Sequence, residues 1–192
     1  MKLILSLLLV LSSILAAAAD DAPPARAHVK LDTTEGAIVV ELDGRRAPLT
    51  VRHFLALVDA GFYDGTVFHR VIPGFMAQGG GYTRDLKQKE AGESIPNESG
   101  NGLQNLRGTL AMARLAEPHT ANTQFFINVV DNASLNPRPD RWGYTVFGYV
   151  IEGMDVVDKI VAVPTGPAGE FDRDVPVAPI VIEKASRFKF GQ

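Results

Sequence analysis

The residues with the clearest chemical potential lie in one short stretch, FHRVIPGFMAQGGG, at positions 68–81. It opens like a β-strand but contains a cation, Arg70, an amide, Gln78, and two apolar side chains, Phe75 and Met76, with a Pro-Gly pair and three glycines. Proline cannot donate to a strand ladder and glycine weakens a strand interior. The stretch is therefore a candidate binding or catalytic segment, although a lone arginine is by default a salt-bridging surface residue and the two apolar residues are by default core.

A second candidate segment is NTQFFINV, at positions 122–129. Alternation with a period of two places Gln124 and Phe126 on one face of a strand and Phe125 and Ile127 on the other. The face of Phe125 is typical of core. An amide and an aromatic ring two residues apart are typical of a lined cleft, and equally of an isolated surface aromatic.

Motifs of several other reaction classes are missing from the sequence. The four histidines never pair at i, i+4, and neither G-x-S-x-G nor a phosphate-binding loop is present. The Gly79–Gly81 run is not followed by Lys-Ser or Lys-Thr, which argues against nucleotide binding. The chain has no cysteine, which excludes disulfides, thiolate catalysis and cysteine-based zinc sites. We expect neither a metal nor a cofactor.

Length and composition suggest an ordinary globular domain. The 192 residues correspond to one domain or at most two small ones, with 46% hydrophobic and 21% charged residues. The formal net charge of −3 gives no electrostatic case for nucleic-acid binding.

The N-terminus has the layout of a secretory signal peptide. Lys2 is followed by an apolar run over residues 3–15 and by alanines over residues 16–19, so we expect cleavage before Asp20 and no stable membrane insertion afterwards. The alternative is a membrane anchor, but the run is marginal against the roughly 20 apolar residues that a span needs. Residues 20–27 are polar and contain proline, which predicts a short tether.

The rest of the chain reads as many short strands with two helices. A hairpin is predicted around Glu35-Gly36, one helix over residues 47–61 with apolar residues at i, i+3, i+4 and i+7, and a second helix over 154–161. The remaining predicted strands cover 67–72, 75–78, 109–113, 124–129, 146–150 and 177–185, with long connections at 79–108, 114–123, 131–143 and 164–176. This pattern favours an antiparallel barrel or sandwich whose open ends are covered by helices.

Together with NGLQNLRGTLAMAR and GYTVFGYVIEGMDVVDKI, the two segments resemble the cyclophilin family of peptidyl-prolyl cis–trans isomerases over about residues 28–186. The segment AMARLAEPHTANTQFF is most similar to small bacterial members, and the signal peptide adds a likeness to the periplasmic ones, with secretion as the alternative. The resemblance implies a mainly β fold, an eight-stranded antiparallel closed barrel capped by two α-helices, as an isomerase domain over residues 28–188. It implies a monomer that acts on proline-containing polypeptides and assists the folding of exported proteins.

The resemblance also implies roles for individual residues. Arg70 matches the catalytic arginine, which donates to the prolyl nitrogen of the twisted amide, and Gln78 can orient it. The proline pocket and the peptide-binding groups would be formed by Phe75, Met76, Ala113, Gln124, Phe126, Leu135 and Tyr144, with Ala113 acting through the backbone of the segment 112–115. Rotation about a peptide bond breaks no bond, so the missing nucleophile and metal motifs agree with this activity.

Two features of the sequence differ from what the resemblance leads us to expect. Ser134 stands where eukaryotic members often carry the tryptophan tied to cyclosporin binding, so we expect weak cyclosporin binding, with Trp142 as an unproven substitute. Simple alternation places Phe75 and Gln78 on opposite faces, so the strand must bend or bulge near Pro73-Gly74 and Gly79–Gly81. The three glycines are then expected to leave room for another backbone. A module on this fold that binds proline segments without turnover remains an alternative, although binding alone would not need Arg70.

Overall fold

A computed structural model of the chain describes residues 22–90 and 92–189. The predicted signal peptide, 1–19, and the first two residues of the predicted tether lie outside the described residues. The strands are β1 (Arg26–Thr33), β2 (Gly36–Asp43), β3 (Thr66–Ile72), β4 (Met76–Thr83), β5 (Thr109–Met112), β6 (Phe125–Asn128), β7 (Val146–Glu152), β8 (Thr165–Ala168), β9 (Phe171–Pro176) and β10 (Val181–Phe188). The α-helices are α1 (Pro48–Asp59) and α2 (Met154–Ala162).

Eight of the strands close into an antiparallel barrel in the order β1-β10-β3-β4-β6-β5-β7-β2, and β8 and β9 form a separate two-stranded sheet. This confirms the predicted eight-stranded closed barrel with two helices. Closure removes the exposed sheet edges on which other chains could pair. No helix in the described part of the chain combines the length and the apolar character that crossing a membrane requires.

Helix α1 shows how the core is filled. Its apolar residues recur at i, i+3, i+4 and i+7, and all of them are buried in the same cluster as the inward side chains of the barrel strands. The ring of Phe54 lies 5.6 Å from that of Phe125 and 5.1 Å from that of Phe147, centroid to centroid. The start of the helix is fixed by Glu98, whose carboxylate accepts hydrogen bonds from the backbone N–H groups of Leu49 and Thr50 at 3.1 and 2.8 Å. Glu98 thereby ties the long connection after β4 to the helix N-terminus.

Several predicted boundaries were wrong because backbone pairing extends further than the side-chain pattern shows. Arg26 and Ala27, placed in the tether, belong to β1 and pair with Asp43 and Leu42 of β2. The predicted loop 79–108 begins later, since β4 continues through Thr83, and the predicted loop 164–176 contains the β8–β9 hairpin. The last strand runs over residues 181–188 rather than 177–185.

The bulge predicted near Gly79–Gly81 is present in β4, where residues 80–82 lie opposite Val67 alone, between the pairs Thr66–Thr83 and Phe68–Gly79. A second bulge, which the sequence did not predict, lies in β3. Phe68 pairs with Gly79 and Arg70 with Gln78, so His69 is an extra residue that forms a bulge in β3. Phe75 was predicted in a strand but lies in the turn before β4, whose first residue is Met76. The side chain of Phe75 is therefore freed from strand alternation.

Candidate active site

An open cavity of about 150 Å³ lies on the outer side of the barrel. Its lining comes from β3, β4, β6 and the loops around them: Arg70, Phe75, Met76, Gln78, Ala113, Arg114, Phe126, Leu135 and Tyr144. The structure therefore brings together every residue that the sequence predicted for the site except Gln124. Gln124 lines an adjoining cavity that shares Gln78, Ala113 and Arg114 with the first.

The floor of the cavity is apolar because alternate residues of four paired strands point out of the barrel. Met76 and Phe126 are 2% and 4% exposed and form an outer cluster with Ala111 and Val146. The ring of Tyr144 meets that of Phe126 edge to face, with the centroids 5.7 Å apart. Such a buried, rigid, aromatic-walled depression suits a small apolar ring.

A chain of side-chain hydrogen bonds crosses the rim of this cavity. Gln124 accepts a hydrogen bond at its Oε1 from Nε2 of Gln78 at 2.9 Å, and Oε1 of Gln78 accepts one from Nη1 of Arg70 at 3.4 Å. Both amides are thus used to orient the guanidinium, which is 37% exposed in its side chain and can still reach a ligand. The arrangement places a fixed cationic donor beside an apolar depression.

The sequence marks Arg114 only as a departure from the eukaryotic members that could shift the preference near proline, and it predicts no structural role for this side chain. Its Nε donates to the carbonyl of Gly143 at 3.1 Å and its Nη2 to that of Trp142 at 2.9 Å, while Nη1 donates to Leu115 at 2.8 Å. The guanidinium also lies over the ring of Tyr144, 4.6 Å from its centroid. Arg114 therefore joins two loops that form one wall of the site, a role that only their closeness in the fold reveals.

The connection 131–143 begins with an anchored turn. Asn132 donates from Nδ2 to the backbone carbonyl of Phe75 at 2.9 Å and to Oδ1 of Asn128 at 2.7 Å, and the 3-10 turn Ala133–Leu135 follows it. These bonds place Leu135 at the cavity. Trp142 is 48% exposed and packs against His119 at 5.2 Å between ring centroids, outside the cavity lining.

Two of the three glycines of β4 make room for side chains of this same chain. A Cβ at Gly80, whose φ is +84°, would lie 2.8 Å from the ring of Tyr63. A Cβ at Gly81 would lie 2.4 Å from Cγ of Gln124. The expectation that the glycines leave room for another backbone was therefore wrong at these two positions, since rings and an amide side chain fill the space.

Substituting Gly81→Ala is expected to lower kcat/KM of the catalysed reaction about 5-fold, the equivalent of one lost hydrogen bond of roughly 1 kcal/mol. The added methyl group displaces Gln124, which releases Gln78 and then Arg70. The rate of isomerisation of a short proline-containing peptide, the substrate class that the resemblance implies, measures the effect. Gly100→Ala is the matched control, because a Cβ at Gly100 meets nothing within 4 Å. Equal activity of the two variants would show that Gln124 does not support the site.

His69, beside Arg70 in the bulge, is 2% exposed and packs between the rings of Tyr82 and Phe171. Its buried Nδ1 makes no hydrogen bond to any residue within 22–90 and 92–189. Burial, assisted by the charge of Arg70, lowers the pKa of His69 from 6.5 to about 4. The imidazole is therefore neutral in the folded protein at neutral pH.

The depressed pKa of His69 predicts acid destabilisation. As the pH falls from 6.5 towards 4 the unfolded chain takes up a proton that the folded chain refuses, so stability present above pH 6.5 is progressively lost. The expected loss is about 3 kcal/mol in the free energy of unfolding. Urea unfolding of wild type and His69→Phe across this range measures it, because the phenylalanine ring keeps the packing without the titration. Parallel curves for the two proteins would contradict the assignment.

Within residues 22–90 and 92–189 no group of three or more His, Cys, Asp or Glu side chains is placed to hold a metal ion. What this geometry can do is bind an apolar ring, hold adjoining polar groups with amides and present one guanidinium. These are means of stabilising a conformational change in a bound ligand rather than of breaking a bond.

Comparison with known proteins agrees with this chemistry. The pattern of the family described as cyclophilin type peptidyl-prolyl cis-trans isomerase/CLD matches residues 28–187. Peptidyl-prolyl cis-trans isomerase cyp18 of Streptomyces antibioticus is 56% identical over 160 residues, which cover 82% of this chain and 96% of that protein. Peptidyl-prolyl cis-trans isomerase B of Escherichia coli (strain K12) is 52% identical over 161 residues, covering 82% and 98%.

The same family is found among solved structures. The crystal structure of a cyclophilin type peptidyl-prolyl cis-trans isomerase from Cryptosporidium parvum has a TM-score of 0.72 at 28% identity and covers 86% of this chain and 99% of that one. A second crystal structure of it, in the presence of the dipeptide Ala-Pro, has a TM-score of 0.70 at 29% identity, with coverage of 84% and 99%. With the barrel, the apolar depression and the matching pattern over nearly all the described residues, the chain belongs to the cyclophilin-type peptidyl-prolyl cis–trans isomerases and is such an enzyme.

Proposed function

We propose that this isomerase accelerates rotation about Xaa-Pro bonds in exported polypeptides and so assists their folding in the periplasm, with secretion as the alternative location. The observation that carries the substrate class is the apolar depression beside the guanidinium of Arg70. The signal-peptide pattern over residues 1–19 supports the location. The substrate class is also supported by the Cryptosporidium relative, whose structure was determined in the presence of the dipeptide Ala-Pro.

The energetic task is large although no bond is broken. Resonance gives the peptide C–N bond a rotation barrier of roughly 18–20 kcal/mol, so uncatalysed isomerisation takes tens of seconds or more. A turnover of about 10³ per second requires a barrier lower by roughly 6–8 kcal/mol. Several groups must therefore contribute, and each must act more strongly on the twisted amide than on the planar one.

Arg70 supplies the donor that acts on the twisted state. Twisting the amide localises a lone pair on the prolyl nitrogen, and a guanidinium N–H aimed at that nitrogen stabilises it. Gln78 keeps the guanidinium in place, because its Oε1 accepts a hydrogen bond from Nη1 of Arg70 at 3.4 Å. Gln78 is itself held by its hydrogen bond to Gln124. Because the donor is already oriented, little reorganisation is needed when the lone pair appears.

The apolar groups hold the proline and remove water from the amide. The ring of the substrate proline lies on Met76 and Phe126 in this proposal, and it is surrounded by Phe75, Leu135 and Tyr144. A drier surrounding disfavours the planar amide, which is the more polar form. The backbone at Ala113 and the amide of Gln124 then bind the flanking peptide, so that one side of the Xaa-Pro bond is fixed while the other rotates.

Refolding tests the role in folding. Catalytic amounts of the enzyme should shorten the slow, proline-limited refolding phase of a disulfide-free exported protein, whereas roughly 10 to 100 times as much Arg70→Ala enzyme should be needed for the same acceleration. Cell fractionation and mass spectrometry of the mature chain test the location. A periplasmic protein beginning at Asp20 is expected, and an intact Met1 in the cytoplasmic fraction would contradict it.

The remaining binding properties are inferred from the family resemblance, the formal net charge of −3 and the position of two side chains. We infer a monomer without nucleic-acid partners and with weak affinity for cyclosporin. Ser134 is exposed, and Trp142 lies against His119 rather than in the cavity lining, which supports the weak affinity. A nanomolar affinity measured by calorimetry would contradict it.

A further inference from the structure

A carboxylate from a distant part of the chain lies beside the guanidinium of Arg70. Oδ2 of Asp174, in β9, is 3.8 Å from Nε of Arg70, while Gln78 accepts from Nη1 at 3.4 Å. The two partners thus contact different nitrogens of one planar group. Contacts at two points restrict the rotation of a guanidinium more than one contact can.

The backbone at Asp174 is in an unfavourable conformation that turns this carboxylate towards the site. Its φ is +68°, and apart from Leu86 it is the sole non-glycine residue with positive φ in the described parts of the chain. Val175 pairs with Gly166 and Phe171 with Ala168, so five residues of β9 face three of β8 and Asp174 lies in a bulge. Bulges redirect side chains, and strained backbone persists where the surrounding structure holds it.

The hairpin that carries Asp174 is held against the strands of the site. The ring of Phe171 packs on His69 and Tyr82, at 5.5 and 5.1 Å between centroids. The hydroxyl of Tyr82 donates to Glu170 at 3.0 Å, and Val175 is 5% exposed. The residues on both sides of Asp174 in β9 are therefore packed in place, which fixes the position of its backbone.

A competing partner of Asp174 does not explain this arrangement. Nε of Arg173 lies 3.6 Å from the same Oδ2, but the side chain of Arg173 is 83% exposed. Solvent screening leaves such a pair little effect on stability. Arg70 is the better enclosed of the two arginines, with 37% of its side chain exposed.

We propose that Asp174 is a positioning residue for Arg70, which holds the Nε side of the guanidinium while Gln78 holds Nη1. This inference rests on the proposed catalytic role of Arg70. Removal of the carboxylate leaves Arg70 present but free to rotate. The rate at which bound substrate isomerises therefore falls, while the affinity for the substrate is unchanged.

The test uses Asp174→Asn and Asp174→Gly, since asparagine and glycine both tolerate the left-handed conformation. Each is expected to lower kcat about 5-fold at unchanged KM, for a peptide substrate, with a melting temperature within about 2 °C of wild type. Asp172→Asn, an exposed neighbour in the same hairpin, is the control and should match wild type. When Arg70 is already alanine, Asp174→Asn should cause no further loss.

Unchanged or increased kcat in Asp174→Asn, with Arg70→Ala impaired, would overturn this inference alone. A drop in melting temperature that accompanies the loss of activity in both variants would assign Asp174 a structural role and overturn it as well. A further fall in kcat when Asp174→Asn is added to Arg70→Ala would also overturn it. A fully active Arg70→Ala enzyme would overturn the proposed role of Arg70 itself, and the positioning role with it.

Discussion

Replacing Arg70 by alanine is expected to lower kcat/KM for a short Xaa-Pro peptide by roughly 10- to 100-fold. A charge-assisted hydrogen bond contributes about 1.5–3 kcal/mol, and each 1.36 kcal/mol is a factor of ten in rate. The loss should fall on kcat more than on KM, because the donor acts on the twisted amide and not on the planar one. The variant should still exceed the uncatalysed rate, since the apolar floor and the amides remain.

Exchange spectroscopy of the cis and trans peptide signals measures this effect without a coupled protease. Arg70→Lys separates charge from shape, because lysine keeps the charge but lacks the planar fork that Gln78 and Asp174 contact. Arg45→Ala, at an exposed turn away from the cavity, is the control for the loss of an arginine. Full activity in Arg70→Ala would refute the mechanism while leaving the membership of the family intact.

Replacing Phe125 by alanine is expected to reduce the free energy of unfolding by about 3–5 kcal/mol. The side chain is fully buried, and its ring meets those of Phe54, Tyr63 and Phe68 at 5.6, 5.5 and 6.2 Å between centroids. Truncation removes these contacts and leaves a cavity that rigid strands cannot close. The loss is a large part of the 5–15 kcal/mol that typically stabilises a domain.

The neighbouring residue offers a matched comparison. Phe126 is the same side chain one position along β6, but it faces the outer cluster and the cavity instead of the barrel core. Phe126→Ala should lower kcat/KM more than Phe125→Ala does when both are assayed folded, and should destabilise less. Urea unfolding at equilibrium measures stability in each variant. If Phe125→Ala loses under 1 kcal/mol, or if Phe126→Ala is the less stable of the two, the division between core and site is wrong.

The predictions for His69 at low pH and for Gly81→Ala concern the same region of the barrel. His69 lies in the bulge of β3 next to Arg70, and Gly81 gives Gln124 the space to reach Gln78. The bulge beside Arg70 and the glycine that makes room for Gln124 thus lie on two paired strands, β3 and β4. A substitution there should be measured for stability and activity together, because a change in one can follow from the other.

The sequence by itself determined which residues could form the site. A cation, two amides and apolar anchors occur in two short segments, and alternation along 124–127 correctly separates the cavity face from the core face. The helix periodicity at 51–58 likewise predicted the buried face of α1. These signals are local, and local patterns survive in the sequence because a period of two or of 3.6 residues is set by backbone geometry.

The tertiary structure alone decided how those residues meet and what supports them. No spacing in the sequence connects Asp174 with Arg70, or Arg114 with Gly143, because these contacts depend on the closing of the barrel and on a bulged hairpin. The sequence also did not show how far β4 extends, because glycines weaken the strand pattern. The glycines are needed because aromatic rings and the amide of Gln124 pack against them, which only the structure shows. Contacts between distant segments leave no periodic trace, so only the folded chain shows them.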